Sequence, residues 1–178
     1  SSDVCSSDLY QNVRESKRQL CRYACESIKM HSFKDTRLLP YEAKLVKDII
    51  LDIEKYPEFL PWCSEAKLLS QSEKELTAQL TISYKFFRET YTSVVIITDT
   101  PEEYTINVEA ISGPFKKLNN FWSIRKINNQ CEVKFSIDFE FKSVILDAVI
   151  GTFFSMATNK MIKAFETRAY HISKTGVL

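Results

Sequence analysis

The chain has 178 residues, a length that fits one domain of ordinary size and leaves little room for a second. Hydrophobic residues make up 44% and charged residues 26%, with 24 basic residues against 23 acidic ones, so the composition excludes a disordered chain and gives no electrostatic pull towards nucleic acid. Three glycines leave no material for a phosphate-cradling loop, and no apolar run has the length needed to span a bilayer as a helix.

Residues 1–9 (SSDVCSSDL) repeat a Ser-Asp pattern with no hydrophobic period and read as the conceptual translation of a sequencing adapter. Residues 10–29 spread their apolar side chains too thinly for a helix. They are basic, as a transit peptide is, but contain Glu15 and Glu26, which such peptides avoid. The expectation is therefore an artefactual or untranslated tail over 1–29 with Met30 at a translation start, a domain over 30–174 and a short C-terminal tail over 175–178. Setting 1–29 aside removes five of the 24 basic and four of the 23 acidic residues, so the domain is formally neutral. It also removes Cys5, Cys21 and Cys25. Cys63 and Cys131 remain, which form neither a disulfide framework nor a metal pattern and point to a reducing compartment.

Residues 31–41 predict a short strand closed by Pro40. Over 43–53, Leu45, Val46, Ile49, Ile50 and Ile53 have the spacing of an amphipathic helix. Pro57 and Pro61 break 56–62 into short helical or turn pieces. Over 76–86, Leu76, Ala78, Leu80, Ile82, Tyr84 and Phe86 alternate with polar residues, the mark of a strand buried on one face. A β-branched strand over 88–98 follows, then a turn at Asp99-Thr100-Pro101 and a strand over 104–111 that Ser112-Gly113-Pro114 ends. A strand over 121–127 leads to a hairpin turn at Asn128-Asn129, where asparagine tolerates positive φ. Over 131–142, Cys131, Val133, Phe135, Ile137, Phe139 and Phe141 alternate with polar residues without a break, so a one-residue slip would bury six polar side chains. Ser143 is an N-cap candidate, and 144–171, with no proline and one glycine, predicts one long helix. Consecutive antiparallel strands closed by a long helix define an α+β fold with the helix on one sheet face.

The first half of that helix, 144–157, carries one charge, Asp147, and apolar groups around most of its circumference. The second half is amphipathic, with Met161, Ile162, Phe165 and Ala169 opposite Lys160, Lys163, Glu166 and Arg168. A helix lying on a sheet needs one apolar stripe. The surplus has three readings: further core, covered by segments such as 56–62 or 112–118 or by a second copy; a ligand cavity between helix and sheet; or contact with a membrane surface. Periodicity alone favours core.

Catalytic chemistry is sparse. The two histidines, His31 and His171, lie at the domain's ends, where solvated side chains are expected. Asp138 and Glu140 alternate onto the polar face beside Lys134 and Lys142, which predicts a solvated charge pattern, and Cys63 and Cys131 have no nearby histidine to activate them. No nucleotide-binding, HExxH or paired CxxC motif is present. A non-catalytic protein without metal or cofactor is expected.

Residues 54–63 (EKYPEFLPWC), 112–122 (SGPFKKLNNFW) and 135–143 (FSIDFEFKS), in that order and followed by a Phe/Met-rich helix, resemble the ubiquinone-binding START-like family. Its relatives include the polyketide cyclase superfamily and the RatA-like ribosome-association proteins. The resemblance spans 32–173 and implies a helix-grip (START/Bet v 1-like) fold, a curved antiparallel sheet wrapped around a long C-terminal helix with a hydrophobic tunnel between them. It implies ubiquinone as a bound ligand, carried in support of respiratory electron transport. The ligand-binding set so implied has Phe59, Pro61 and Trp62, with Cys63, at the entrance, and Tyr84 and Phe86 on the inward strand face. Pro114 and Phe115 form a loop over the opening with Leu118 and Trp122 below it, and Phe139, Val149, Phe153 and Met156 line the tunnel. A quinone ring calls for hydrogen-bond donors without charge, for which the Trp122 indole and the Tyr84 hydroxyl are candidates. The implied setting is the bacterial cytoplasm against the inner membrane, or the matrix side of the mitochondrial inner membrane, with peripheral membrane contact and no DNA partner. The alternative is a RatA-like toxin that binds the large ribosomal subunit and inhibits subunit association, for which Lys116, Lys117, Arg125 and Lys126 offer a local basic patch. An aromatase/cyclase, the enzymatic use of such a fold, ranks last because the inward positions are almost all apolar.

Overall fold

The computed structural model describes residues 29–84, 87–151 and 154–176. Residues 1–28, Phe86 and Phe153 therefore lie outside the described residues, as does the side chain of Val149. In chain order, β1 (His31–Leu39) is followed by α1 (Ala43–Leu51), a 3-10 turn (Ile53–Lys55) and α2 (Tyr56–Phe59). Next come β2 (Cys63–Gln71), β3 (Glu75–Tyr84), β4 (Phe87–Asp99), β5 (Glu103–Ser112), β6 (Phe115–Ile127) and β7 (Gln130–Phe141), and the chain closes with α3 (Val144–Gly151) and α4 (Phe154–Thr175). Among the described residues the strands form one antiparallel sheet in the order β1-β7-β6-β5-β4-β3-β2.

The elements form where the apolar period is intact. On β7 the residues Cys131, Val133, Phe135, Phe139 and Phe141 are buried, and Asn128, at φ 52°, makes the tight turn into that strand. Helix α1 buries Ala43, Val46, Ile49 and Ile50. In α4 the amphipathic half buries Ile162, Ala169 and Ile172, and the last two meet Ile49 of α1. The remaining core lies between these helices and the concave sheet face.

The structure departs from expectation in four places. Residues 63–71 form a strand that the pattern did not reveal. β2 is an edge strand with register shifts between Cys63 and Glu65 and between Leu68 and Ser70, and each shift displaces the alternation that would have marked it. β6 begins at Phe115, so residues 115–120 belong to the sheet and are not a loop. A register shift between Phe115 and Lys117 obscures the period there as well. Thr81, expected on the polar face of β3, is buried, and its hydroxyl meets that of Thr90 at 2.9 Å on the neighbouring strand. The expected single helix over 144–171 is described as α3 and α4, with residues 152–153 between them outside the description.

Gly113 makes the turn from β5 to β6 at φ +109°, and a Cβ there would stand 2.5 Å from the Tyr91 Cβ and 2.9 Å from the Thr90 carbonyl oxygen. Only glycine satisfies both the backbone angle and the space.

Candidate ligand-binding site

The sheet's inward alternation brings Ile82 and Tyr84 of β3, Tyr91 of β4, Leu118 of β6 and Ile137, Phe139 and Phe141 of β7 onto one concave surface. Facing it are Ile150 of α3 and Phe154, Met156, Ala157, Thr158 and Met161 of α4. Trp62, between α2 and β2, and the Pro114-Phe115 corner complete the ring of walls. They enclose an empty volume of about 1130 Å³, counting the part that opens to solvent. The part of that space comparable to an interior cavity is about 200 Å³, and protein interiors seldom leave voids larger than a water molecule, so this is a chamber and not a packing defect. Glu89 is the one charged residue among its described walls, and the Thr158 hydroxyl is turned back onto its own helix, donating to the carbonyls of Phe154 (3.0 Å) and Ser155 (3.1 Å).

A second compartment, with a cavity volume of about 120 Å³, adjoins the first and shares the walls Trp62, Ile82, Tyr91, Leu118, Ile137 and Met161. It lies against core residues such as Ile53, Ser93 and Ile106, and none of its described walls is charged. Its polar groups are Tyr56, Cys63, Tyr91, Ser93, Asn120 and the Trp62 and Trp122 indoles. The Tyr56 hydroxyl donates to the Ile50 carbonyl. Burial pushes the Cys63 thiol up from 9.0 to about 11 and holds the Tyr56 and Tyr91 phenols above their ordinary range. The compartment is therefore neutral at physiological pH.

Burial also lifts the Cys131 thiol to about 11. These raised values fix the sign of a pH effect. Between about pH 9 and 11 the unfolded chain releases thiol protons that the folded chain retains, so stability falls as pH rises through that window. Urea midpoints measured from pH 7.5 upward are expected to stay level to about pH 9 and then decline.

Of the residues expected in the site, Trp62, Tyr84, Pro114, Phe115, Leu118, Phe139 and Met156 line the outer compartment, and Trp122 lines the inner one. Trp122 lies deep in the fold, 4.4 Å between ring centroids from Phe135 and 5.4 Å from Phe165. Gly113 and Pro114 form the turn between β5 and β6, and Phe115 is the first residue of β6, so the loop expected at the opening is a two-residue turn on the cavity wall. Phe59 lines neither compartment. It packs edge-on against Tyr56 at 5.7 Å and Phe165 at 5.2 Å, with the Arg168 guanidinium over its ring, because α2 lies beside the second half of α4. Pro61 is exposed and also outside both. Phe86, Phe153 and the Val149 side chain are outside the described residues. Asn120, Tyr91 and Met161 were missed. Carrying the alternation of Trp122 and Ile124 backwards through Asn120 to Leu118 would have found the first of them.

His31 corrects a further expectation. It is not solvated: its side chain is 11% exposed, and its Nε2 lies 2.7 Å from Oδ1 of Asp147, the single charge of 144–157. Its ring stacks on Phe139 at 5.0 Å and meets Phe154 edge-on at 5.7 Å. Pairing of β1 with β7 sets His31 opposite Phe139 and so beneath α3. His31→Ala leaves the Asp147 carboxylate only the long 3.4 Å hydrogen bond from the Lys29 backbone N–H and is expected to lower stability by about 1–3 kcal/mol in urea unfolding. His171 is exposed beside Tyr170, as expected. Asp138 accepts a hydrogen bond from Ser32 and Glu140 pairs with Lys116 at 2.7 Å, so the two carboxylates do not converge on a common partner. Among the described residues no cluster of His, Cys, Asp or Glu could hold a metal ion, and no helix is long and apolar enough to cross a membrane.

An antiparallel sheet gripping a C-terminal helix, with an apolar cavity between them, defines the class as START-like helix-grip proteins. The structure matches a START superfamily protein from Mycobacterium smegmatis with a TM-score of 0.65 at 18% identity, over 80% of this chain and 99% of that one. Residues 39–166 match the family described as polyketide cyclase / dehydrase and lipid transport, and the chain belongs to that family as a RatA-like member. It is 44% identical over 146 residues to the ribosome association toxin RatA of Rickettsia prowazekii (strain Madrid E), covering 82% of this chain and all of that protein. It is 24% identical over 147 residues to the mitochondrial coenzyme Q-binding protein COQ10 homolog B of Xenopus laevis, covering 79% of this chain and 58% of that protein. Neither relative is named for a catalytic activity.

Proposed function

We propose that the domain is a non-catalytic carrier that holds ubiquinone between α4 and the concave sheet face. The observation that supports this reading is the pairing of an apolar outer compartment with a neutral inner one that bears hydroxyl and amide groups. Each tail methylene taken out of water contributes about 0.8 kcal/mol. In a bilayer the tail is already dry, so the tail gives little net selection and the ring contacts decide. Such a carrier exchanges its ligand with a membrane in support of respiratory electron transfer, from the cytoplasm of a bacterium or the matrix of a mitochondrion. Ile145 on α3, 76% exposed, and Met156 on the cavity wall, 43% exposed, supply apolar surface for a passing contact. Organic extraction and mass spectrometry of protein made in a quinone-producing host and purified in mild detergent are expected to yield ubiquinone. Recovery of a different lipid, or of none, overturns the proposal.

A second reading, association with the large ribosomal subunit, is favoured by the 44% identity to the RatA relative over that protein's whole length. It would use the outer surface. Of the basic residues considered for that surface, Lys116, Arg125 and Lys126 are paired with Glu140, Glu132 and Asp99, which lowers the charge on offer to RNA. Salt-dependent cosedimentation with purified large subunits supports this reading, and absence from the subunit fraction at low salt removes it.

A further inference from the structure

We propose that Asn120 is the residue that recognises the ligand's head group, so that the lipid enters ring first and leaves its tail in the outer compartment. This inference rests on the lipid-carrier reading and adds to it an orientation and a specificity-determining side chain.

Asn120 stands on β6 between Leu118 and Trp122 at inward positions, with Val108 and Ile137 opposite it on the flanking strands. Those four neighbours are apolar or aromatic, the ordinary occupants of such a face. The Asn120 Oδ1 is buried and has no hydrogen-bond partner among the described residues, and its side chain lines the inner compartment. An unpaired buried amide oxygen weakens a fold, and native structures nearly always satisfy such groups. A polar group retained at that cost on the wall of a cavity fits a partner that arrives from outside.

The chemistry of that partner follows from the surroundings. An amide both donates and accepts, and a rotation of its plane exchanges the two roles. It can donate to a ring carbonyl of the oxidised quinone or accept from a ring hydroxyl of the reduced one. The compartment contains no cation to balance a carboxylate or phosphate, and burial keeps Tyr56, Cys63 and Tyr91 protonated, so the head group is uncharged. The reverse orientation would press an apolar tail end against the amide and leave the head among Phe87, Phe115 and Phe154, with Tyr84 and the Glu89 carboxylate as the nearby polar walls.

The test uses the full chain and two probes, a short-tailed ubiquinone and the hydrocarbon of the same tail without its ring. Quenching of Trp62 and Trp122, the chain's two tryptophans, reports quinone binding, and displacement of the quinone reports the hydrocarbon. Asn120→Leu is expected to weaken the quinone about tenfold, the equivalent of about 1.4 kcal/mol, and to leave the hydrocarbon unchanged. Its ligand-free melting temperature is expected to be no lower than wild type, since it removes an unpaired group. Asn120→Val, run in parallel, is expected to behave alike. In the infrared, wild type is expected to lower the stretching frequency of one quinone carbonyl, and both variants to restore it. Equal quinone affinity and an unchanged carbonyl band in the variants would overturn the role of Asn120 while leaving the cavity as the lipid site. Failure of wild type to bind either probe would overturn the carrier reading and this inference with it.

Discussion

Ala157→Phe protein is expected to fold as wild type does and to come through purification without bound lipid. Ala157 lies on α4, partly buried, and faces the outer compartment. Enlarging a side chain inside a packed core ordinarily costs about 1–3 kcal/mol through strained rotamers and shifted backbone. Here the added ring projects into empty volume walled by Phe139, Phe154 and Met161, where it gains contacts and displaces nothing. Cavity filling of this kind commonly stabilises by about 0.5–2 kcal/mol. The ligand loses the same space, and retention is expected to drop by about a hundredfold, a loss of about 2.7 kcal/mol in binding. Extraction of matched wild-type and variant protein, with urea unfolding alongside, checks both halves. Wild-type amounts of lipid in a normally folded variant would place the ligand somewhere other than between α4 and the sheet.

Phe135→Ala is expected to remove about 3–5 kcal/mol of folding stability, the range for truncating a buried aromatic. Phe135 is 4% exposed on β7, directly opposite Trp122 on β6 and Asp35 on β1, with ring centroids 4.4 Å from Trp122 and 6.2 Å from Phe33. It joins three strands beneath the second half of α4 and is a wall of neither compartment. Since whole domains are stable by roughly 5–15 kcal/mol, this one side chain accounts for a large share, and the melting temperature is expected to drop by about 10 °C. Protein still folded at low temperature should carry lipid as wild type does. A loss below about 1 kcal/mol in urea unfolding would show that the Trp122–Phe135 pair does not anchor the core.

These two positions differ in how far the sequence reveals them. Phe135 belongs to an unbroken alternation on β7, and its burial follows from that pattern alone. Ala157 lies in a helix whose apolar surplus fits core, membrane or ligand equally well. Only the family resemblance pointed to a cavity, and the separation of α4 from the sheet then showed the space. The bulged strands were the least legible part of the fold. β2 loses its period twice, and the start of β6 loses it once, so the expected strand began only at Phe121 and left Asn120 outside it. That hid Asn120. Phe59 failed for another reason: in a helix of four residues the direction of a side chain is set by what the helix packs on, not by a repeat. The His31–Asp147 contact joins residues 116 apart, and no local pattern brings those together.

The position of β1 at the sheet's edge has a consequence for how the domain is made. From β2 to β7 each strand pairs with the one just synthesised, so the nascent sheet can grow hairpin by hairpin. β1, though translated first, pairs only with β7, and its Leu39 waits for Cys131. Such distant pairings close slowly. The gripping helix comes later still, directly after β7. Until both arrive the concave face is an open apolar trough, exposed to any neighbour. Closure of the cavity is therefore a post-translational event, and the interval before it is when this protein has most need of a chaperone.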